Sequence, residues 1–443
     1  MSPFAYLKGC ASASIAYPIA ERLQKRNVRT KIRELRFHYS VPFAQRRRSA
    51  VERLAQILEF AGEYVPYYRD LFSERGFIPD RVRRDPRHLE ELPILTKDII
   101  LEQGPRLLSC SLDGLRHHLC KTGGSTGPSC VIYYDQEAAD YSSAVTRYAR
   151  ERIGKKHSMS ELHFSSRFPD AFPLRDRVRE YFKCLAMNRS NIFFDRLDDY
   201  GLEQIWSTVL LRRPHLVHAH PSTIHALARY VEQRYGGGRA FTIFESSGEL
   251  LAPQARKTIA GALRCRVVDR YGLAEFGVIA YELAPQGADL QVLDSEGWPE
   301  CLPVEDAHDG KHELVFTGFR NRLMPLVRYG TGDLARVQER PDGFFLVDVV
   351  GRIHDMVPIN GVSYPTHYIQ DVLDRVGGIQ EFQIDLRTSP PVLRLVHEAG
   401  ANPDEIRERV DGWWQGGFQV RFVGPQDLVR VGHMAKFRHV VQA

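Results

Sequence analysis

The sequence predicts an α/β fold: a large N-terminal domain of parallel sheets covered by helices, then a small C-terminal α+β domain. Three observations carry that expectation. Apolar residues recur at helical spacing through residues 1–110, β-branched runs alternate with helical stretches from 116 onward, and a shorter set of alternating elements follows 351–353. A chain of 443 residues is long enough for more than one domain. The large domain is expected over 1–350, its first 110 residues mostly helical, and the small one over 353–443.

The elements follow in order. "AVERLAQILEFAGEY" keeps its apolar residues at helical spacing, and Pro66 and Pro93 interrupt the pattern in "VPYYRDLF" and "LPILTKDII". "PHLVHAH" reads as a strand and Ser222 as the cap of the next helix, in which Ile224, Leu227, Ala228 and Val231 share a face and Gly236–Gly238 end the run. "FTIFESSG" is the next strand, "APQARKTIAGAL" the next helix and "CRVVDRYG" the strand after that. Such alternation implies a parallel sheet, and ligands of such sheets bind beyond the carboxyl ends of the strands. "SSGE" and "RYGLAE" fall at those ends. The tail reads as a helix "YPTHYIQDVLDRV", strands "EFQIDL" and "VLRLVHE", a helix "PDEIRERVDGWW" and a strand "FQVRFV".

Composition narrows the function. With 43% apolar and 26% charged residues the chain is an ordinary globular one, and a formal charge of +5 is too small to imply nucleic acid. No apolar run reaches the ~18 residues that span a bilayer. "LKGC" at Leu7–Cys10 lacks the basic start and apolar stretch of a lipoprotein signal. Seven scattered cysteines form no disulfide framework and fit a reducing cytoplasm. Cys110, His117, His118 and Cys120 are close in sequence, but "LRHHLC" alternates like a strand and throws neighbours to opposite faces, which argues against zinc. Arg22, Lys25, Arg26, Arg29, Lys31, Arg33, Arg36 and Arg46–Arg48 make the N-terminal region basic. That region is either a solvated helix face or a peripheral contact with anionic lipid or a phosphorylated partner.

"KTGGSTGPSC" holds a Gly-x-Ser-x-Gly, from Gly123 to Gly127. A nucleophile elbow needs strand, turn and helix, whereas "PSCVIYYD" after Gly127 alternates as a strand. No Gly-Lys-Ser/Thr occurs, so a Walker loop is excluded. What remains is a loop between two strands: a plain turn, or an anion cradle of three glycines with Ser125 and Thr126 hydroxyls. Its company favours the cradle. "YGLAE" (271–275) sets a ring and a carboxylate at a strand end, able to stack on adenine and hold Mg²⁺; "RYGTGD" (328–333) delivers Asp333 from a Gly-rich turn, where it can accept from a ribose diol; "GRIHD" (351–355) supplies Arg352 at the junction with the tail. Each also has a plain structural role open to it: Tyr271 as core, Glu275 and Asp333 as turn residues, Arg352 as an ion-pair partner.

With "VPYYR", "LPILTK", "TGGSTG", "SSGE", "YGLAE", "RYGTGD", "GR" and a closing "GHMAKFRHV" in this order, the chain resembles the adenylate-forming ligase superfamily, in particular the phenylacetate–coenzyme A ligase branch and its capsular polysaccharide relatives. The resemblance covers nearly the whole chain. It implies an enzyme that uses ATP and Mg²⁺ to activate a small carboxylic acid as acyl-adenylate, then passes the acyl group to a thiol (coenzyme A) or an amine. It implies that Lys436 neutralises the reacting carboxylate and α-phosphate. Thr122, Gly123, Gly124, Ser125, Thr126 and Gly127 hold the phosphates, Ser247, Gly248, Glu249, Tyr271 and Gly272 frame adenine, Asp333 takes the ribose, Arg352 joins the nucleotide site and Glu275 carries Mg²⁺. The small domain is expected to swing about 351–355, with His354 and Asp355 at the hinge. His218, His220 and Ser222 in "HAHPST" are candidates for the acid pocket, a helix-capping turn being the alternative; relatives often show Gly-Tyr-Pro-Ser there, and two histidines favour a smaller or more polar acid than an arylacetate.

Departures are specific. No lysine follows Gly127; Ala274 replaces the usual Thr or Ser; His312 stands where Gly is usual; and Leu283 and Ala288 stand where relatives hold structural zinc, so none is expected. The alternative function is a non-catalytic nucleotide- or acyl-binding relative that acts as an assembly partner at the inner face of the membrane.

Overall fold

In a computed structural model, the residues described are 3–121, 130–166, 174–194, 199–284, 289–303, 312–350, 356–365, 369, 372–373, 376–431, 436–437 and 439–441. They divide into two compact units: one of Met1–Gly9, Met159–Val268 and Val350–Ala443, the other of Cys10–Ser158 and Asp269–Val349.

The first unit is built on a five-stranded sheet, parallel throughout, in the spatial order Arg189–Phe194, Glu161–Ser166, Leu216–Ala219, Ile243–Ser246, Arg266–Val268. The strands fall where β-branched runs alternate with helical stretches. The helix Pro221–Tyr235 buries Ile224, Leu227, Ala228 and Val231 completely, and Gly236 ends it in the left-handed region at φ 66°. Burying each of those branched chains contributes about 1.5–3 kcal/mol. Ser222 is not its cap. His220 holds that position without a side-chain bond, Pro221 opens the first turn with its preset φ, and Ser222 is the second helical residue.

The C-terminal part of this unit has its own core, with Ile359, Leu373, Phe382, Leu395, Val410 and Trp414 buried together. Its sheet runs Gln419–Phe422, Val392–His397, Ile379–Asp385, Val440–Val441, with the helix Pro403–Trp414 capped by Asn402. The three strands and the helix Pro403–Trp414 read from the tail are present; Tyr364 and Pro365 end a strand, Val362–Pro365, instead of opening a helix, and most of the rest of that expected helix lies outside the described residues.

The second unit is helical up to Leu107; its later described strands pair mostly antiparallel, and one more helix, Gln136–Arg152, follows the first two of them. One sheet orders Arg336–Arg340, Gly343–Val347, Leu290–Val292, Gly277–Tyr281 and Arg270–Leu273; another orders Gly297–Pro303, His312–Gly318 and Tyr329–Leu334. "CRVVDRYG" is therefore two strands, not one. Arg266–Val268 closes the parallel sheet, and Arg270–Leu273 opens an antiparallel one after Asp269. The long helix Phe43–Tyr64 sets Val51, Leu54, Ile57, Leu58 and Ala61 into the core of this unit. The basic N-terminal cluster is largely spent inside the unit. Arg26 pairs with Asp140 at 2.7 Å, Lys31 with Glu137 at 2.9 Å and Arg36 with Glu151 at 2.8 Å, fastening the helix Val28–His38 to Gln136–Arg152; Arg46 and His38 share the buried Asp294. Helix–helix pairing, rather than solvation alone, explains this charge.

Candidate active site

The loop of Thr122, Gly123, Gly124, Ser125, Thr126 and Gly127 lies outside the described residues, as do Arg352, His354 and Asp355. What flanks the loop is described. His117–Lys121 and Val131–Asp135 pair antiparallel, with Lys121 opposite Val131. The segment therefore links two strands of a hairpin, which no nucleophile elbow does. His117 sits against the Tyr133 ring and His118 on Gln136, so alternation separates the two imidazoles as read from the sequence. Among the described residues no group of three or more His, Cys, Asp or Glu is placed to hold a metal.

Two expected nucleotide residues meet in the second unit. The Tyr271 hydroxyl donates to Asp333 Oδ2 at 2.6 Å. Tyr271 lies within a strand, and Gly272 next to it is required: a Cβ there would stand 2.4 Å from the Gly277 carbonyl of the neighbouring strand. Asp333 comes from a strand rather than a turn. Tyr329, Thr331 and Asp333 alternate on one buried face of Tyr329–Leu334, and Gly332 bends the strand at φ 74°. The Thr331 hydroxyl donates to the Leu314 carbonyl at 2.7 Å and accepts the Asp333 amide at 3.1 Å, which holds the backbone at Asp333.

Glu275 sits in the turn after Tyr271's strand, buried, with Oε1 accepting from the Tyr329 hydroxyl at 2.7 Å. Tyr134 donates to the neighbouring Ala274 carbonyl; burial, with smaller contributions from Cys120 and Glu275, holds its phenol well above the ordinary value and so protonated as a donor. Burial likewise raises the Glu313 carboxyl, the Gly332 amide opposing and Asp333 adding to the rise.

The motifs shared with the branch turn out to buttress this strand. The Tyr68 hydroxyl of "VPYYR" donates to the Pro325 carbonyl at 3.0 Å and accepts the Val327 amide at 3.1 Å. The Leu95 amide of "LPILTK" donates to the Arg328 carbonyl at 2.9 Å. Arg328 itself is buried, paired with Glu300 and donating to the Leu92 carbonyl. Tyr329, Thr331, Tyr134 and Arg328 were not among the residues read from the sequence. The period-two alternation of Tyr329, Thr331 and Asp333 was the signal available for the first two.

In the first unit, "SSGE" leaves the carboxyl end of Ile243–Ser246. His220 Nδ1 donates to the Ser247 carbonyl at 2.8 Å, and Glu249 Oε2 accepts the Ser222 amide at 3.1 Å, a carboxylate placed at a helix N-terminus. Gly248, at φ 81°, has the His220 ring so close that a Cβ would stand 2.6 Å from it. His218 Nδ1 is 2.8 Å from the buried Glu245, and its ring is 4.8 Å from that of His163. His218, His220 and Ser222 are thus each tied to the "FESSGE" segment. Lys436 lies in a two-residue strand, Lys436–Phe437, opposite Val431.

No family profile matches the chain. Its fold is that of a solved 2-hydroxyisobutyryl-CoA ligase, at a TM-score of 0.69 and 18% identity over 92% of this chain and 91% of that one. The fold class is therefore the one seen in that ligase, solved in its postadenylation state with an acyl-AMP. The protein CapK of Staphylococcus aureus is 25% identical over 318 residues, 69% of this chain and 68% of that one. The phenylacetate–coenzyme A ligase of Escherichia coli is 24% identical over 396 residues, 78% of this chain and 83% of that one. In sequence the chain is thus similar to phenylacetate–coenzyme A ligases and to CapK, and in fold to an acyl-CoA ligase.

Proposed function

We propose that this chain activates a small carboxylic acid with ATP as an acyl-adenylate and then transfers the acyl group to a thiol, coenzyme A, with an amine as the other acceptor the branch allows. The observation that carries this reading is the paired set Tyr271–Asp333 and Glu275–Tyr329 in one unit. It supplies an aromatic face and a ribose acceptor beside a buried carboxylate held in one direction.

The chemistry asks for little else from these residues. The acid's oxygen attacks the α-phosphorus, pyrophosphate leaves, and two anions must be brought together. Lys436 is the cation assigned to that meeting, Asp333 the ribose acceptor, Tyr271 and Gly272 the adenine wall with Ser247–Glu249, and Thr122–Gly127 the phosphate cradle. Arg352 joins them at the start of a lid formed by 353–443, turning about 351–355 with His354 and Asp355 in the hinge. His218, His220 and Ser222 are assigned to the acid. Glu275 fits a Mg²⁺ ion: it is buried, one oxygen is committed to Tyr329, and the other has no hydrogen-bond partner among the described residues. Mg²⁺ bound there would neutralise charge on the departing pyrophosphate.

The test is ATP–pyrophosphate exchange across aryl, short aliphatic, amino and sugar acids, with coenzyme A or hydroxylamine as trap. Exchange with at least one acid, and a thioester when coenzyme A is added, is expected. ATP binding without exchange for any acid selects the non-catalytic assembly partner instead.

A further inference from the structure

The helix Leu174–Ala186, "LRDRVREYFKCLA", is oriented against the usual rule for a surface helix. At 100° per residue, Leu174, Val178, Tyr181, Phe182 and Leu185 fall within an arc of about 100°. That stripe faces outward: Leu174 is 75% exposed, Tyr181 66% and Phe182 61%. The polar edge faces inward. Glu180 pairs with Arg189 of the sheet's edge strand and accepts from Asn191 Nδ2 at 2.9 Å, and Cys184 Sγ lies 3.6 Å from the same Asn191. Arg175 and Arg177 flank the stripe, one on each side, with Arg179 and Lys183 behind, and all four are exposed. Only Ala186 of this helix is a buried apolar residue.

We propose that this helix seats the protein on an anionic lipid surface, with Tyr181 and Phe182 in the headgroup–acyl boundary and the arginines on the phosphates. The chemistry that selects a lipid is the combination of an aromatic and aliphatic stripe with cations at both margins, the pattern of a helix lying in the membrane plane. Charge argues against a second copy of the chain. A two-fold contact presents a patch to itself, so the cation-margined stripe of one copy would meet the cation-margined stripe of the other. This inference goes beyond the ligase reading and does not depend on it. It also assigns the lipid contact to a different element from the basic N-terminal region, whose cations largely pair with acids of the chain itself.

The experiment is flotation of the full chain with vesicles of phosphatidylcholine alone and of phosphatidylcholine with phosphatidylglycerol. Binding to the phosphatidylglycerol vesicles, weakened by salt, is expected. Phe182→Asp should lower the bound fraction about tenfold, and Arg175→Glu with Arg177→Glu should abolish the preference for anionic vesicles. Both variants alter exposed side chains, and their thermal unfolding should match the parent. Failure of the parent chain to float with either vesicle overturns the proposal, as does equal binding to both. A parent dimer that Phe182→Asp converts to monomer in light scattering, with no vesicle binding, assigns the stripe to a second copy and also overturns it.

Discussion

Tyr329 gives Glu275 its direction through one hydrogen bond in a buried setting, where removing the donor leaves a carboxylate oxygen unpaired. Such a loss costs ~1–3 kcal/mol. Tyr329→Phe should therefore lower pyrophosphate exchange about tenfold at limiting Mg²⁺, with most of the loss recovered at saturating Mg²⁺; exchange at the parental rate under limiting metal would remove Glu275 from the metal role. Asp333→Ala strips the acceptor that Tyr271 and the ribose are expected to share, so calorimetric ATP affinity should fall by about tenfold or more. Unchanged affinity would count against that assignment. Asp333 stood out in the sequence because the Gly-rich run "RYGTGD" ends on a carboxylate. Tyr329 was not, because a tyrosine in a strand reads first as core, and only the fold shows that its hydroxyl ends on Glu275.

At the scale of elements, the helix Pro221–Tyr235 and the strand Ile379–Asp385 line one cavity together with His439. Burial pushes the His225 imidazole below its usual value, more than Glu381 raises it. The unfolded chain then binds a proton more readily than the folded one, so stability falls as pH drops through the ordinary histidine value of about 6.5. Glu381 acts over a lower range: burial raises its carboxyl most, but the hydrogen bond and charge of His439, the Phe382 amide and His225 together outweigh that and leave it below the usual value. Its contribution is complete above about pH 4.3 and is lost only as pH falls further. Urea midpoints should therefore decline from pH 7 to 5 in the parent chain and less steeply in His225→Gln; identical slopes would exclude His225 as the source. The elements themselves were legible wherever period and punctuation agreed, as in the helix closed by Gly236. The boundary at Asp269 was not, because "CRVVDRYG" carries no turn signal and the change of sheet is decided by which strands are available to pair.

For the whole molecule, the ligase reading turns on Lys436, which lies in a two-residue strand near the end of the chain. Lys436→Ala should reduce adenylate formation at least about a hundredfold while leaving thioester formation from supplied acyl-adenylate nearly intact. Equal loss of both steps would contradict a lid that works in two positions. The order of motifs along the chain, the α/β class, the strands of the tail with the helix Pro403–Trp414, and the flanking strands that rule out a nucleophile elbow were determined by the sequence itself, because periodicity and backbone chemistry are local. Tertiary structure alone decided that "VPYYR" and "LPILTK" hold the strand of Asp333, that the N-terminal cations fasten helix to helix, and that one amphipathic helix turns its apolar face outward. Those outcomes depend on partners tens to hundreds of residues away, and no local pattern encodes which distant group a hydroxyl, an ammonium or a phenyl ring will meet.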